Sequence, residues 1–190
     1  MKIISATFVK GVVGTDEIFE DGKPQIVFIG RSNAGKSSVI NALVNRKKLA
    51  LVSSFPGRTQ QINIFLINTS FYLVDLPGYG YAKIPKEARE QIQKMIHWYL
   101  FKSEYAHKKI VLVIDANVGM TDSDKEMLHS LQAHGKNVVI VANKIDKIKK
   151  SVYDEKIQKI KIVGGGYPVI PFSAEKKIGA GELSEEITSF

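Results

Sequence analysis

The stretch Gly30-Arg31-Ser32-Asn33-Ala34-Gly35-Lys36-Ser37 restricts what this chain can become more than any other. It follows an apolar run, Ile26-Val27-Phe28-Ile29, and precedes an apolar-periodic one, Val39-Ile40-Ala42-Leu43-Val44. Buried strand, glycine-rich turn and helix form the context in which Gly-x-x-x-x-Gly-Lys-Ser acts as a phosphate loop. Backbone N–H groups of such a turn wrap phosphate oxygens, and the helix that follows adds partial positive charge. Lys36 is then placed for the β- and γ-phosphates and the Ser37 hydroxyl for Mg²⁺. The competing reading is a solvated basic turn, which the flanking elements disfavour.

The rest of the chain alternates strands with helices. Strands are expected near 25–29, 61–68, 71–75, 110–115, 137–142 and 169–172. Only Thr69-Ser70 separates the second from the third, so these two should form an antiparallel hairpin. Helices are expected at 36–45, from Pro85 to about 101, after Thr121-Asp122-Ser123-Asp124, after Ser151-Val152-Tyr153-Asp154, and at the end through Leu183, Ile187 and Phe190. Buried strands alternating with helices imply an α/β fold, a mainly parallel sheet in three layers with one antiparallel edge strand. Residues 1–23 resist assignment and read as an arm or marginal strand packed on a single domain spanning 24–190.

Length suits one domain with one sizeable core. There is no cysteine, which excludes disulfides, thiolate metal sites and cysteine nucleophiles and fits a reducing cytoplasm. No apolar run is long enough to span a bilayer, and the N-terminus is too polar for a signal peptide. The net charge of +8 favours polyanionic partners, RNA first, although a lysine-rich solvated surface explains it equally well.

Four further motifs bear on chemistry. Asp75-Leu76-Pro77-Gly78 ends a strand, where Asp75 can hold Mg²⁺ through water and the Gly78 N–H can approach a γ-phosphate. In Asn143-Lys144-Ile145-Asp146 the carboxylate can accept from guanine N1–H and the 2-amino group, a donor pair adenine lacks. There Lys144 would lie along the base, and Asn143 would tie this loop to the phosphate loop. In Phe172-Ser173-Ala174 the Ala174 N–H could reach guanine O6. Thr59, in Pro56-Gly57-Arg58-Thr59-Gln60, could complete the Mg²⁺ shell. His97 falls off its helix's apolar face and reads as a surface residue. The histidines are scattered, with no metal-protease spacing.

Taken together, Gly30 to Ser38, Pro56 to Gln60 and Asp75 to Ala82 resemble the EngB-type (YihA/YsxC) bacterial GTPases, in the TrmE-Era-EngA-EngB-Septin-like group. The resemblance implies a Ras-like G domain with six strands, binding GTP and GDP with Mg²⁺ and hydrolysing GTP slowly. It implies nucleotide contacts from Gly30, Arg31, Ser32, Asn33, Ala34, Gly35, Lys36, Ser37 and Ser38, and from Gly57, Arg58, Thr59, Gln60 and Gln61. The same holds for Asp75, Leu76, Pro77 and Gly78, and for Asn143, Lys144, Asp146, Phe172, Ser173 and Ala174. Lys36, Thr59 and Gly78 would be catalytic, and Ser37, Thr59 and Asp75 would hold the metal. It also implies a role in assembly of the large ribosomal subunit, through the subunit or its rRNA, and in normal cell division and septation. The expected state is a cytoplasmic monomer with no membrane contact.

Ala34 stands where valine is more usual, and Asn143 where the family often has threonine. Neither change weakens the guanine reading. Tyr79 occupies the position at which Ras and Gα proteins carry a water-positioning glutamine, so intrinsic turnover should be slow. Asn33 matches an asparagine that holds an activating K⁺ in several relatives. Rival readings are a small-molecule P-loop kinase and a nucleotide-holding scaffold without useful hydrolysis. The first lacks the arginines a lid would need.

Overall fold

The apolar run after Pro24 becomes β2, Gln25–Gly30, buried at every position. A strand buried on both faces has to lie inside a sheet that is covered twice. The structure, a computed structural model, describes residues 2–46, 48–50, 61–80 and 85–189. In it β2 runs parallel to β4 (Phe71–Asp75) on one side and to β5 (His107–Asp115) on the other. Beyond β5 come β6 (Val138–Asn143) and β7 (Val169–Pro171), also parallel. Beyond β4 come β3 (Ile62–Ile67), antiparallel to it, and β1 (Ala6–Val12), antiparallel to β3.

Alternate residues of β2 feed two separate cores. Val27 and Ile29 pack with Ile92, Ile96, Leu128 and Ile160 from α2 (Lys86–His97), α3 (Asp122–Ala133) and α4 (Tyr153–Val163). Ile26 and Phe28 pack with Val39, Ile40, Leu183 and Ile187 from α1 (Lys36–Leu43) and α5 (Ala180–Thr188). The buried ammonium of Lys109 on β5 pairs with Glu186 at 2.5 Å and fastens α5 to the sheet. The α/β three-layer expectation holds. Among the described residues no helix is long and apolar enough to cross a membrane.

Several details differ from the sequence reading. The sheet has seven strands rather than six, because part of the N-terminal segment is β1. Its exposed middle and Gly11 hide the alternation that marks a strand. The strand that runs against the others, β3, is therefore not the edge. Asn68 stitches the N-terminal segment to the β3–β4 turn, accepting from the Ile4 and Ser5 N–H groups at 2.8 and 3.0 Å. After His97 the helix widens into a π-turn, Trp98–Lys102, which buries both Tyr99 and Leu100. There the Tyr99 hydroxyl meets buried Gln25, whose amide donates to the Phe19 carbonyl at 3.1 Å. Thr121 and Asp124 do form a reciprocal capping box at the start of α3. Ser151 does not cap α4, which begins from Val152 with no side-chain cap after a short 3₁₀ turn. His97 is exposed and stacks against Phe101.

Candidate functional site

The carboxyl ends of the parallel strands share one edge, the place where open α/β sheets bind ligands. From β2 the chain enters the phosphate-loop stretch at Gly30, where an added Cβ would overlap the Val113 carbonyl of β5. Asn33 and Gly35 take left-handed backbone conformations, φ 67° and 92°, and Gly35 directly precedes α1. At Gly35 a side chain would be strained and would also collide with the Asn143 amide. The N–H groups at the head of α1 have no helical acceptor of their own, which suits them to phosphate oxygens.

One strand over, Asp75 ends β4 opposite Phe28. Its carboxylate is buried and paired with buried Lys36, and the Ser37 hydroxyl lies 3.5 Å from Oδ2. A buried ammonium requires a counter-charge. Lys36 therefore rests on Asp75, and a phosphate would compete with that carboxylate for it. Leu76 sits in the core, Pro77 and Gly78 are buried, and the backbone beyond them runs alongside the phosphate loop. Tyr79 N–H donates to the Gly30 carbonyl at 3.2 Å, and Ser32 N–H donates to the Tyr79 carbonyl at 2.8 Å. A Cβ on Gly78 would stand 3.1 Å from the Ser32 nitrogen. The Tyr79 ring turns away from this edge into the core, where its hydroxyl donates to Asp124 at 2.7 Å. Burial and the facing carboxylate push the phenol's pKa far up, so it stays protonated.

At the end of β6, buried Asn143 donates to the Ala34 carbonyl at 3.0 Å and accepts from the Ala174 N–H at 3.2 Å. Ala174 N–H, expected to face guanine O6, thus has an internal partner. Lys144, with φ 67°, reaches back to the Asn33 carbonyl and to Asp115, each at 2.6 Å. Asp146 is exposed and accepts from the Ser173 hydroxyl at 2.5 Å. Phe172 lies wholly in the core and contributes only its backbone, accepting from Ile145 N–H at 3.2 Å. A cleft of about 430 Å³ opens between these loops, lined by Gly35, Ser38, Asn143, Lys144, Asp146 and Ala174 among others. That volume lies in the range of small-molecule sites.

The Arg31 stem packs against Gly80. Gln61 packs on Gly11 and donates to Asn63 at 3.1 Å, on the β1 side of the sheet. Gly57, Arg58, Thr59 and Gln60 lie outside the described residues, as does the stretch 81–84. Two residues take positions at the site that the sequence does not signal. Asp115 steadies Lys144, and the only available signal was an aspartate at the end of an apolar strand. Asp124 reads from the sequence as a cap alone.

A phosphate loop, a strand-end aspartate and an Asn-Lys-x-Asp loop tied to that phosphate loop, all on one edge of this sheet, define a P-loop GTPase. A family model described as 50S ribosome-binding GTPase matches residues 25–144, and one described as elongation factor Tu GTP binding domain matches 102–190. The chain belongs to the EngB family of GTP-binding proteins. It is 43% identical over its whole length to a probable GTP-binding protein EngB of Desulforamulus reducens, covering 94% of that protein. It is 41% identical, again over its whole length, to that of Clostridioides difficile, covering 94%. Among solved structures it is similar to a probable GTP-binding protein EngB at a TM-score of 0.72, with 27% identity over 86% of this chain and 96% of that one. It is also similar to Era in complex with MgGDPNP and 16S ribosomal RNA, at 0.69 with 25% identity over 87% of this chain and 56% of that one.

Proposed function

We propose that this GTPase is a slow, Mg²⁺-dependent switch in assembly of the large ribosomal subunit, acting in the cytoplasm and required for normal division and septation. The observation that carries the switch reading is the Asn143–Ala34 hydrogen bond. It makes the phosphate loop and the base loop one unit that reads both ends of a guanine nucleotide. The ribosomal part is supported by the description of the matching family model and by the chain's net positive charge.

The donor set fits Mg²⁺. A hydroxyl and a carboxylate stand together at Ser37 and Asp75, both hard oxygen ligands, and such an ion takes its other ligands from phosphates and water. Bound there, Mg²⁺ supplies charge neutralisation at the phosphates. Among the described residues no cluster of three acidic or histidine side chains could hold a metal alone, so metal affinity should depend on nucleotide. With Tyr79 buried and bonded elsewhere, no side chain at that position orients water, which supports slow turnover. Thr59 and Gly78 would respond to the γ-phosphate. The exposed Asn33 could hold K⁺ beside the loop.

Phosphate release with and without purified large subunits tests this, run in K⁺ and in Na⁺ at equal ionic strength. The expected results are acceleration by large subunits and faster turnover in K⁺, with the K⁺ response lost in Asn33→Ala. No response to large subunits overturns the ribosomal part, and equal rates in the two salts overturn the K⁺ part.

A further inference from the structure

The loop after β4 is anchored on two sides, and only one anchor belongs to the phosphate loop. On that side the Tyr79 backbone is strapped to Gly30 and Ser32. On the other side its hydroxyl is bonded at 2.7 Å to Asp124, a carboxylate 2% exposed at the head of α3. Asp124 is itself held. Its second oxygen accepts from the Thr121 N–H at 2.9 Å and from the Thr121 hydroxyl at 2.7 Å. With both oxygens engaged, the carboxylate cannot swing to follow a moving tyrosine. Gly78, the residue before Tyr79, is thereby held between the phosphate loop and α3, with Ser32 in contact on one face.

A buried phenol needs a polar partner, but a phenyl ring would fill the same space. The hydroxyl's contribution is therefore position rather than volume. We propose that the Tyr79–Asp124 hydrogen bond is a positioning device that presents the Gly78 N–H to a terminal phosphate, and so sets the affinity for nucleoside triphosphate relative to diphosphate. This rests on the reading of Gly78 as the γ-phosphate contact. Tyr79 touches no nucleotide atom itself. It acts through its neighbour, and a diphosphate, which lacks that terminal group, should not register its loss.

The test measures Kd for GDP and for a non-hydrolysable GTP analogue in Mg²⁺, with Tm, for wild type, Tyr79→Phe and Leu131→Ala. Loss of one positioning hydrogen bond should weaken the analogue roughly five- to tenfold in Tyr79→Phe, while GDP stays within about twofold. Leu131→Ala empties core space under the same helix without touching Asp124 and should lower Tm at least as much, yet leave both affinities near wild type. The proposal is overturned if Tyr79→Phe weakens both nucleotides equally or neither. It is equally overturned if Leu131→Ala reproduces the selective loss, because general loosening of α3 would then suffice. These outcomes leave guanine-nucleotide binding intact. A wild-type protein that binds neither nucleotide overturns the switch reading, and this proposal with it.

Discussion

Asn143 reaches across from the end of β6 to the carbonyl oxygen of Ala34, 3.0 Å away and 109 positions earlier in the chain, while its own amide oxygen takes the Ala174 N–H. Three loops from three strands thus meet at one buried amide. Replacing it with alanine leaves the buried Ala34 carbonyl and the part-buried Ala174 N–H without their partner, the first costing about 1–3 kcal/mol and the second less. Asn143→Ala should unfold at lower urea and bind GDP at least tenfold more weakly. A variant that loses stability but keeps GDP affinity would mean that the two loops hold register without it.

Asp146 has one carboxylate oxygen oriented by Ser173 at 2.5 Å. If it reads guanine, Asp146→Asn turns an acceptor into a donor facing two donors. Discrimination built on buried hydrogen bonds reaches ~10⁴-fold, so GDP binding should fall by two orders of magnitude or more. Xanthosine diphosphate, which presents an acceptor at C2, should restore it. Calorimetric titration with both nucleotides decides the matter.

Gly35 and Gly14 offer a matched comparison. Both have positive φ, 92° and 86°, but a Cβ meets the Asn143 amide at Gly35 and nothing within 4 Å at Gly14. Gly14→Ala should lose only the ~1 kcal/mol of left-handed strain. Gly35→Ala should lose more and should abolish nucleotide binding as well. Equal Tm shifts would show that the Asn143 amide yields readily.

His107 predicts an acid-side change in stability. Burial, aided by the Lys136 ammonium at 3.4 Å, holds its pKa down at about 4, against 6.5 for a free histidine. Its Nε2 is buried with no partner among the described residues. Below pH 6.5 the unfolded chain takes up a proton that the folded chain refuses until about pH 4. Stability therefore falls as pH drops through that window and levels off beneath it, by up to about 3 kcal/mol. His107→Phe should flatten this part of the profile. An unchanged slope would assign the acid sensitivity to other groups.

What could be read in advance was what local spacing encodes. Strand, glycine turn and helix at 25–43 follow from periodicity and from two glycines. The Thr121–Asp124 cap follows from side-chain chemistry four residues wide. The tie from Asn143 to the phosphate loop is read from its place in the Asn-Lys-x-Asp motif. The residues that escaped depend on distant segments meeting. Asp115 matters because Lys144 folds back onto it. Nothing near Tyr79 indicates that its ring turns away from the ligand edge toward a cap on another helix. β1 escaped because an edge strand half open to solvent has little apolar alternation to display. Within the π-turn at Trp98–Lys102, Tyr99 reaches Gln25, 74 positions away in the chain.

The segment that carries Thr59 is bounded by two fixed posts. Before it, the Asn41 side chain bonds Ala50 reciprocally, donating to its carbonyl and accepting from its N–H, both at 2.8 Å. After it, Ile62 is paired with Val12, where β1 joins the sheet. The entropy of closing that loop is therefore met by the fold rather than by any ligand. Cutting either tether, with Asn41→Ala or by deleting residues 1–12, should therefore weaken triphosphate binding from outside the phosphate-loop, strand-end and base-loop motifs.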